Sequence, residues 1–70
     1  MTIEWEYGYK RTTATKGNYE LTIVTGAYDF MWLIEKDGKE VATGKTTTHD
    51  TAQSLCYIIT EALIKEEYGL

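Results

Sequence analysis

The sequence predicts an α+β domain in which a four-stranded antiparallel meander is covered on one face by a single C-terminal helix, in the order β-β-β-β-α. Three observations carry that prediction. Apolar and polar residues alternate with a period of two along much of residues 2–47, glycine-containing turn signals punctuate the alternation, and after a threonine run the apolar spacing becomes that of a helix. The 70 residues read as one domain, residues 1–70, because so short a chain supports a single core and contains no proline, repeat or low-complexity tract.

Residues 2–9 place Ile3, Trp5, Tyr7 and Tyr9 on one side and Thr2, Glu4 and Glu6 on the other, the pattern of a half-buried strand. The polar stretch that follows ends in Thr15-Lys16-Gly17, where glycine suits the left-handed position of a three-residue hairpin. Such a turn pairs Tyr9 with Ile23 and Arg11 with Leu21. The second strand, residues 18–25, sets Tyr19, Leu21 and Ile23 against Glu20, Thr22 and Val24. Gly26-Ala27 then fits a two-residue turn with glycine first, pairing Thr25 with Tyr28, Ile23 with Phe30, Leu21 with Trp32 and Tyr19 with Ile34. Apolar residues meet apolar residues, as sheet stability favours.

The third strand, residues 28–36, leads through Asp37-Gly38 to a fourth at residues 39–47. Two registers are open here. A two-residue turn at Asp37-Gly38 pairs Ile34 with Val41 but sets Glu35 against Glu40 and Lys36 against Lys39. A three-residue turn pairs Glu35 with Lys39, moves Val41 to the other face and puts the small Ala42 and Gly44 under the helix, which inclines the reading toward it.

The helix begins in the stretch of residues 46–50, with Thr48 or Asp50 as N-cap and Gln53 three residues after Asp50 in the manner of a capping box. It runs to about Glu67, where Gly69 stops it. Ala52, Leu55, Cys56, Ile59, Ala62 and Leu63 form the stripe expected to pack on the sheet. Tyr57, Ile64 and Tyr68 form a second stripe on nearly the opposite side. A helix with a solvated back does not need it.

Small domains gain stability from disulfides, metals or oligomerisation. Cys56 is the only cysteine and His49 the only histidine, so an internal disulfide is excluded and a structural zinc site disfavoured. Association is the compensation left open. Eleven acidic against seven basic side chains, a net charge of −4, work against nonspecific binding to nucleic acid. No apolar run approaches the roughly 18 residues of a membrane span, and no leader is visible at the N-terminus. An unpaired cysteine without an export signal fits a reducing interior, so the cytoplasm of a cell or of an infected host is expected.

Chemistry has little to work with. Cys56 and His49 lie seven residues apart on or near one helix, about 10 Å along its axis, too far for a nucleophile–base pair. Cys56 reads as a small core residue and His49 as a solvated one. Glu4 and Glu6 share a strand face at about 7 Å, as any alternating polar face would have them. Lys10, Arg11 and Lys16 gather near Tyr9 and Tyr19 at the first hairpin, a weak nucleic-acid signal that the aromatics' predicted burial opposes. No enzyme, cofactor, metal site, membrane contact or small-molecule substrate is inferred.

Residues 30–59 combine a strand, the Asp37-Gly38 turn, Val41-Ala42-Thr43-Gly44, a threonine run and a helix opening with Ala52. This segment resembles the DUF1508 family, small bacterial, archaeal and phage proteins of unknown function. The resemblance implies a β-β-β-α fold and self-association, and no activity.

The sheet face away from the helix carries Val24, Met31, Leu33 and one option for Val41 among Glu4, Glu6, Glu20, Thr22 and Glu35. An apolar centre with an acidic rim has the layout of an interface. The expected function is therefore a non-enzymatic protein-interaction module, acting on a protein partner or on itself as a homodimer. The partner-binding candidates are Val24, Met31, Leu33, Glu20 and Glu35 on the sheet and Tyr57, Ile64 and Tyr68 on the helix. The alternative is an acidic inhibitor of the phage-accessory kind, occupying a nucleic-acid-binding surface of a host defence protein. Such a mimic requires Glu4, Glu6, Glu20 and Glu35 to form one unbroken field.

Overall fold

A computed structural model of the chain describes residues 3–69. The chain forms β1 (Glu6–Gly8), β2 (Arg11–Lys16), β3 (Tyr19–Thr25), β4 (Phe30–Lys36), β5 (Lys39–Thr46) and α1 (His49–Glu67). The strands make one antiparallel meander in sequence order, and α1 packs across β3, β4 and β5. The class is α+β as predicted, with five strands in place of four.

The additional strand comes from the N-terminal third. Of residues 2–9 only Glu6–Gly8 is strand, and Thr2 lies outside the described residues. The chain turns at Tyr9-Lys10, with Lys10 in the left-handed region at φ 54°, and returns as β2 through residues read from sequence as a polar connection. Thr12 and Ala14 of β2 are buried, whereas Tyr7 and Tyr9 are exposed. Alternation of small and β-branched residues defines this strand, and a hydropathy count passes over it. Gly17, at φ 61°, opens a two-residue turn that pairs Lys16 with Tyr19 and Thr12 with Ile23. The expected Tyr9–Ile23 and Arg11–Leu21 pairs are absent, displaced by three positions.

The central hairpin keeps its faces and changes its register. Thr25 pairs with Phe30, Ile23 with Trp32 and Leu21 with Ile34, because residues 26–29 form a four-residue loop closed by the Gly26 N–H donating to the Asp29 carbonyl at 2.8 Å. A slip of two positions leaves every side chain on its original face. Leu21, Ile23 and Ile34 are fully buried and Trp32 nearly so, while Tyr28, expected to begin the strand, is exposed.

At the last hairpin the two-residue register is realised at the turn, and the Glu35–Lys39 pair of the three-residue register is absent. Asp37 and Gly38, at φ 53° and 80°, make the two-residue turn, so Lys36 faces Lys39 and Glu35 faces Glu40. A bulge then leaves Val41 as the extra residue and shifts the ladder, so that Ile34 meets Ala42 and Trp32 meets Gly44. The small residues thus come under the helix, as expected, through a different turn. Gly44 is required there, because a Cβ at this position would stand 2.6 Å from the Trp32 indole.

Thr48 is the N-cap, its hydroxyl accepting from the Thr51 N–H at 3.2 Å, and Asp50 lies inside the first turn. Gly69, at φ 72°, closes the helix by donating to the Glu66 carbonyl. The buried helix residues are Ala52, Cys56 and Thr60, flanked by half-buried Leu55, Ile59, Leu63 and Ile64. The helix is therefore rolled toward Thr60 and Ile64 relative to the expected stripe, and Ala62 is exposed. Half-buried Ile3 and Trp5 also pack against the core.

Candidate interaction surface

Residues opposite one another in a ladder share a face, so the registers assign the outer side of the sheet directly. Three rows cross it. One end carries Thr15, Glu20, Glu35 and Glu40; the middle carries Glu6, Thr13, Thr22, Leu33 and Thr43; the other end carries Arg11, Val24, Met31 and Lys45. The apolar residues are adjacent on the two central strands. Val24 is 37% exposed and Met31 43%, while Leu33 is half-buried between threonines.

The structure thus brings together Val24, Met31, Leu33, Glu20 and Glu35, as the sequence predicts. It also corrects the expected layout. The acidic side chains do not surround the apolar centre; Glu20, Glu35 and Glu40 occupy one end, Glu6 stands at the β1 edge of the middle row, and Arg11 and Lys45 flank the apolar pair at the other end. Arg11 and Lys45 were missed because their row exists only once β2 is a strand and the bulge has shifted β5, whereas Glu40 opposite Glu35 belongs to one of the two registers open in the sequence. Glu4 and Glu6 border a shallow depression with Trp5, Arg11, Thr13 and Glu20, so a cation interrupts the carboxylates there.

The helix candidates do not form one stripe. Ile64 packs against the core, and Tyr57 receives the Lys16 ammonium over its ring at 5.0 Å. Tyr68 is exposed as the C-cap. The physical cause is the roll of the helix, fixed by the fully buried Ala52, Cys56 and Thr60.

On the inner side, two lysines are paired with glutamates of the helix. Lys16 of β2 bonds Glu61, and Lys36 of β4 donates to Glu67 at 3.0 Å, with Tyr19 also donating to Glu67 at 3.3 Å. The hydrogen bond from Lys36 holds the Glu67 carboxyl below its ordinary range, and the same bond raises the Lys36 ammonium. Burial raises the Tyr19 phenol. The basic cluster expected at the first hairpin is dispersed: Lys16 lies at one end of β2, and Lys10, over the Tyr9 ring at 5.5 Å, lies beyond the other.

Cys56 is fully buried, and burial pushes its thiol up to about 11, which suppresses the thiolate that any nucleophilic role requires. His49 is not simply solvated. As the first residue of α1 it lies over the sheet end, its Nε2 3.0 Å from the Thr12 hydroxyl, with Phe30 edge-on at 5.5 Å and Tyr7 at 6.1 Å. Gln53 donates to the Tyr7 hydroxyl at 3.0 Å. This arrangement anchors the helix start. No helix among the described residues is long and apolar enough to cross a membrane. Compared with known protein families, characterised proteins and solved structures, the chain gives no match.

Proposed function

We propose that this chain is a non-enzymatic protein-interaction module that binds through the outer face of its sheet. The carrying observation is the Val24–Met31–Leu33 patch, apolar and accessible on the two central strands, while α1 covers the opposite face. Apolar area of this kind, bordered by charge, gains free energy when a partner removes it from water. A cytoplasmic setting and the self-association implied by the DUF1508 resemblance belong to the same reading.

The acidic-inhibitor reading draws on one observation, the side-by-side row of Glu20, Glu35 and Glu40. Against it, Arg11 and Lys45 on the same face break the field that a nucleic-acid mimic needs.

Native mass measured by light scattering across concentration tests the proposal, together with affinity capture. Replacing Leu33 with Glu places a charge in the middle of the patch and should abolish association or capture while circular dichroism is retained. Association undiminished in that variant would overturn the outer face as the binding surface.

A further inference from the structure

Each charged row of the outer face lacks its counter-charge. Glu20, Glu35 and Glu40 stand opposite one another on adjacent strands, an arrangement that destabilises a sheet when like charges face each other. Among the described residues the ion pairs are Lys16 with Glu61 and Lys36 with Glu67, so neither this row nor Arg11 and Lys45 is ion-paired within the chain. Glu20 and Val24 mark the two rows on β3, four residues or about 13 Å apart. The chain cannot neutralise one row with the other.

A second copy can. Two sheets packed face to face can be related by a two-fold axis lying between them, either along the strands or across them. An axis along the strands brings like ends together, glutamate row on glutamate row. An axis across the strands reverses strand direction and brings each glutamate row onto the Arg11–Val24–Met31–Lys45 row of the other copy. The middle row lies equally far from both, so Leu33 meets its own symmetry mate on the axis, and Glu6 meets its own only at the β1 edge. Lys45 then comes over Glu40 of the other copy, Arg11 beside its Glu20, and Val24 and Met31 against the aliphatic stems of its Glu20 and Glu35. We propose that the outer face is occupied by a second copy of this chain, related by a two-fold axis perpendicular to the strands and selected by this end-to-end charge complementarity.

The proposal rests on the outer face being the binding surface, and one experiment separates the two claims. Sedimentation of the full chain should show a dimer whose dissociation constant rises at least about tenfold between about 50 and 500 mM salt, because opposite charges meet across the interface. Glu20→Lys, Glu35→Lys and Glu40→Lys together should yield a folded monomer, and so should Arg11→Glu with Lys45→Glu. All five substitutions in one chain should restore the dimer, since the exchanged rows again meet opposite charge. The axis along the strands gives the reverse: salt strengthens association and the five-substitution chain stays apart. Either of those results overturns the proposal. So does a wild type that is monomeric throughout but captures a different protein in a Leu33-dependent way, although the outer-face reading then stands. A wild type that neither associates nor captures overturns both. Should a charge variant fail to fold, the sign of the wild-type salt dependence decides alone.

Discussion

The β4–β5 hairpin carries two like-charge pairs side by side, one on each face of the sheet, and they have different surroundings. On the helix side, Lys36 opposes Lys39, and Glu67 of α1 bonds Lys36, whose ammonium also lies 5.6 Å from the Tyr19 ring. On the outer side, Glu35 opposes Glu40 with Glu20 beyond, and no cation from the described residues pairs with them. The same contrast extends over the whole sheet. The inner face closes over Leu21, Ile23 and Ile34, and the outer face leaves Val24 and Met31 in water. The helix α1 completes one face of the sheet, and the other face keeps its imbalance of charge and apolar surface.

The largest expected difference between the faces is in reactivity. Cys56, on the helix side, has its thiol pushed up to about 11, so about one part in a thousand is thiolate at pH 8, and the fully buried sulfur is also sterically shielded. Labelling by a thiol reagent should be slower in the native protein than in urea-unfolded chain by more than about a hundredfold, since an unfolded thiol is already roughly a quarter ionised at that pH. Comparable rates would mean that the inner face is open.

Truncation should separate the faces next. Ile34→Ala removes a fully buried side chain and should cost about 2–5 kcal/mol in urea unfolding, whereas Met31→Ala in dilute, unassociated protein should stay within about 1 kcal/mol. Equal costs would erase the distinction. Gly44→Ala sharpens it on a finer scale. The new methyl would meet the Trp32 ring, which must shift within a closed layer, at a cost of about 1–3 kcal/mol.

These residues also show what the sequence discloses. Leu21, Ile23, Trp32 and Ile34 alternate so regularly that their face was legible even though the expected pairing was two positions out, because burial reports parity and is blind to an even slip. The loop of residues 26–29 decided the register, and Tyr28 looked like a strand residue while sitting exposed in that loop. β2 was hidden by its composition, since Thr12 and Ala14 bury surfaces that score as polar or small. The Asp37-Gly38 turn and the place of Ala42 and Gly44 were each legible singly, but only a bulge at Val41 satisfies both. On the outer face the apolar members and three of the glutamates, Glu6, Glu20 and Glu35, were legible. Their separation from Arg11 and Lys45 depended on those same registers.

The smallest effect concerns the ion pair that ties the helix to the sheet. With the Glu67 carboxyl held below its ordinary range by Lys36, its contribution to stability is present above the unfolded carboxylate range and is lost as pH falls through the folded value. The pair is partly exposed, so Glu67→Gln should lower the urea midpoint only slightly at pH 7 and not at all at strongly acid pH. A difference that persists in acid would mean that Glu67 acts through packing. At alkaline pH, raised Lys36 and Tyr19 imply stability that is lost as pH rises beyond their ordinary ranges.

The division between a face closed by the chain and a face closed by association is tested most directly at Met31, which lies on the outer side and is 43% exposed in the single chain. Peroxide oxidation of Met31, followed by peptide mass across protein concentration, should be fast in dilute solution and should slow as the native mass rises to that of a dimer. Oxidation of Met31 at one unchanged rate while the protein passes from monomer to dimer would contradict the account.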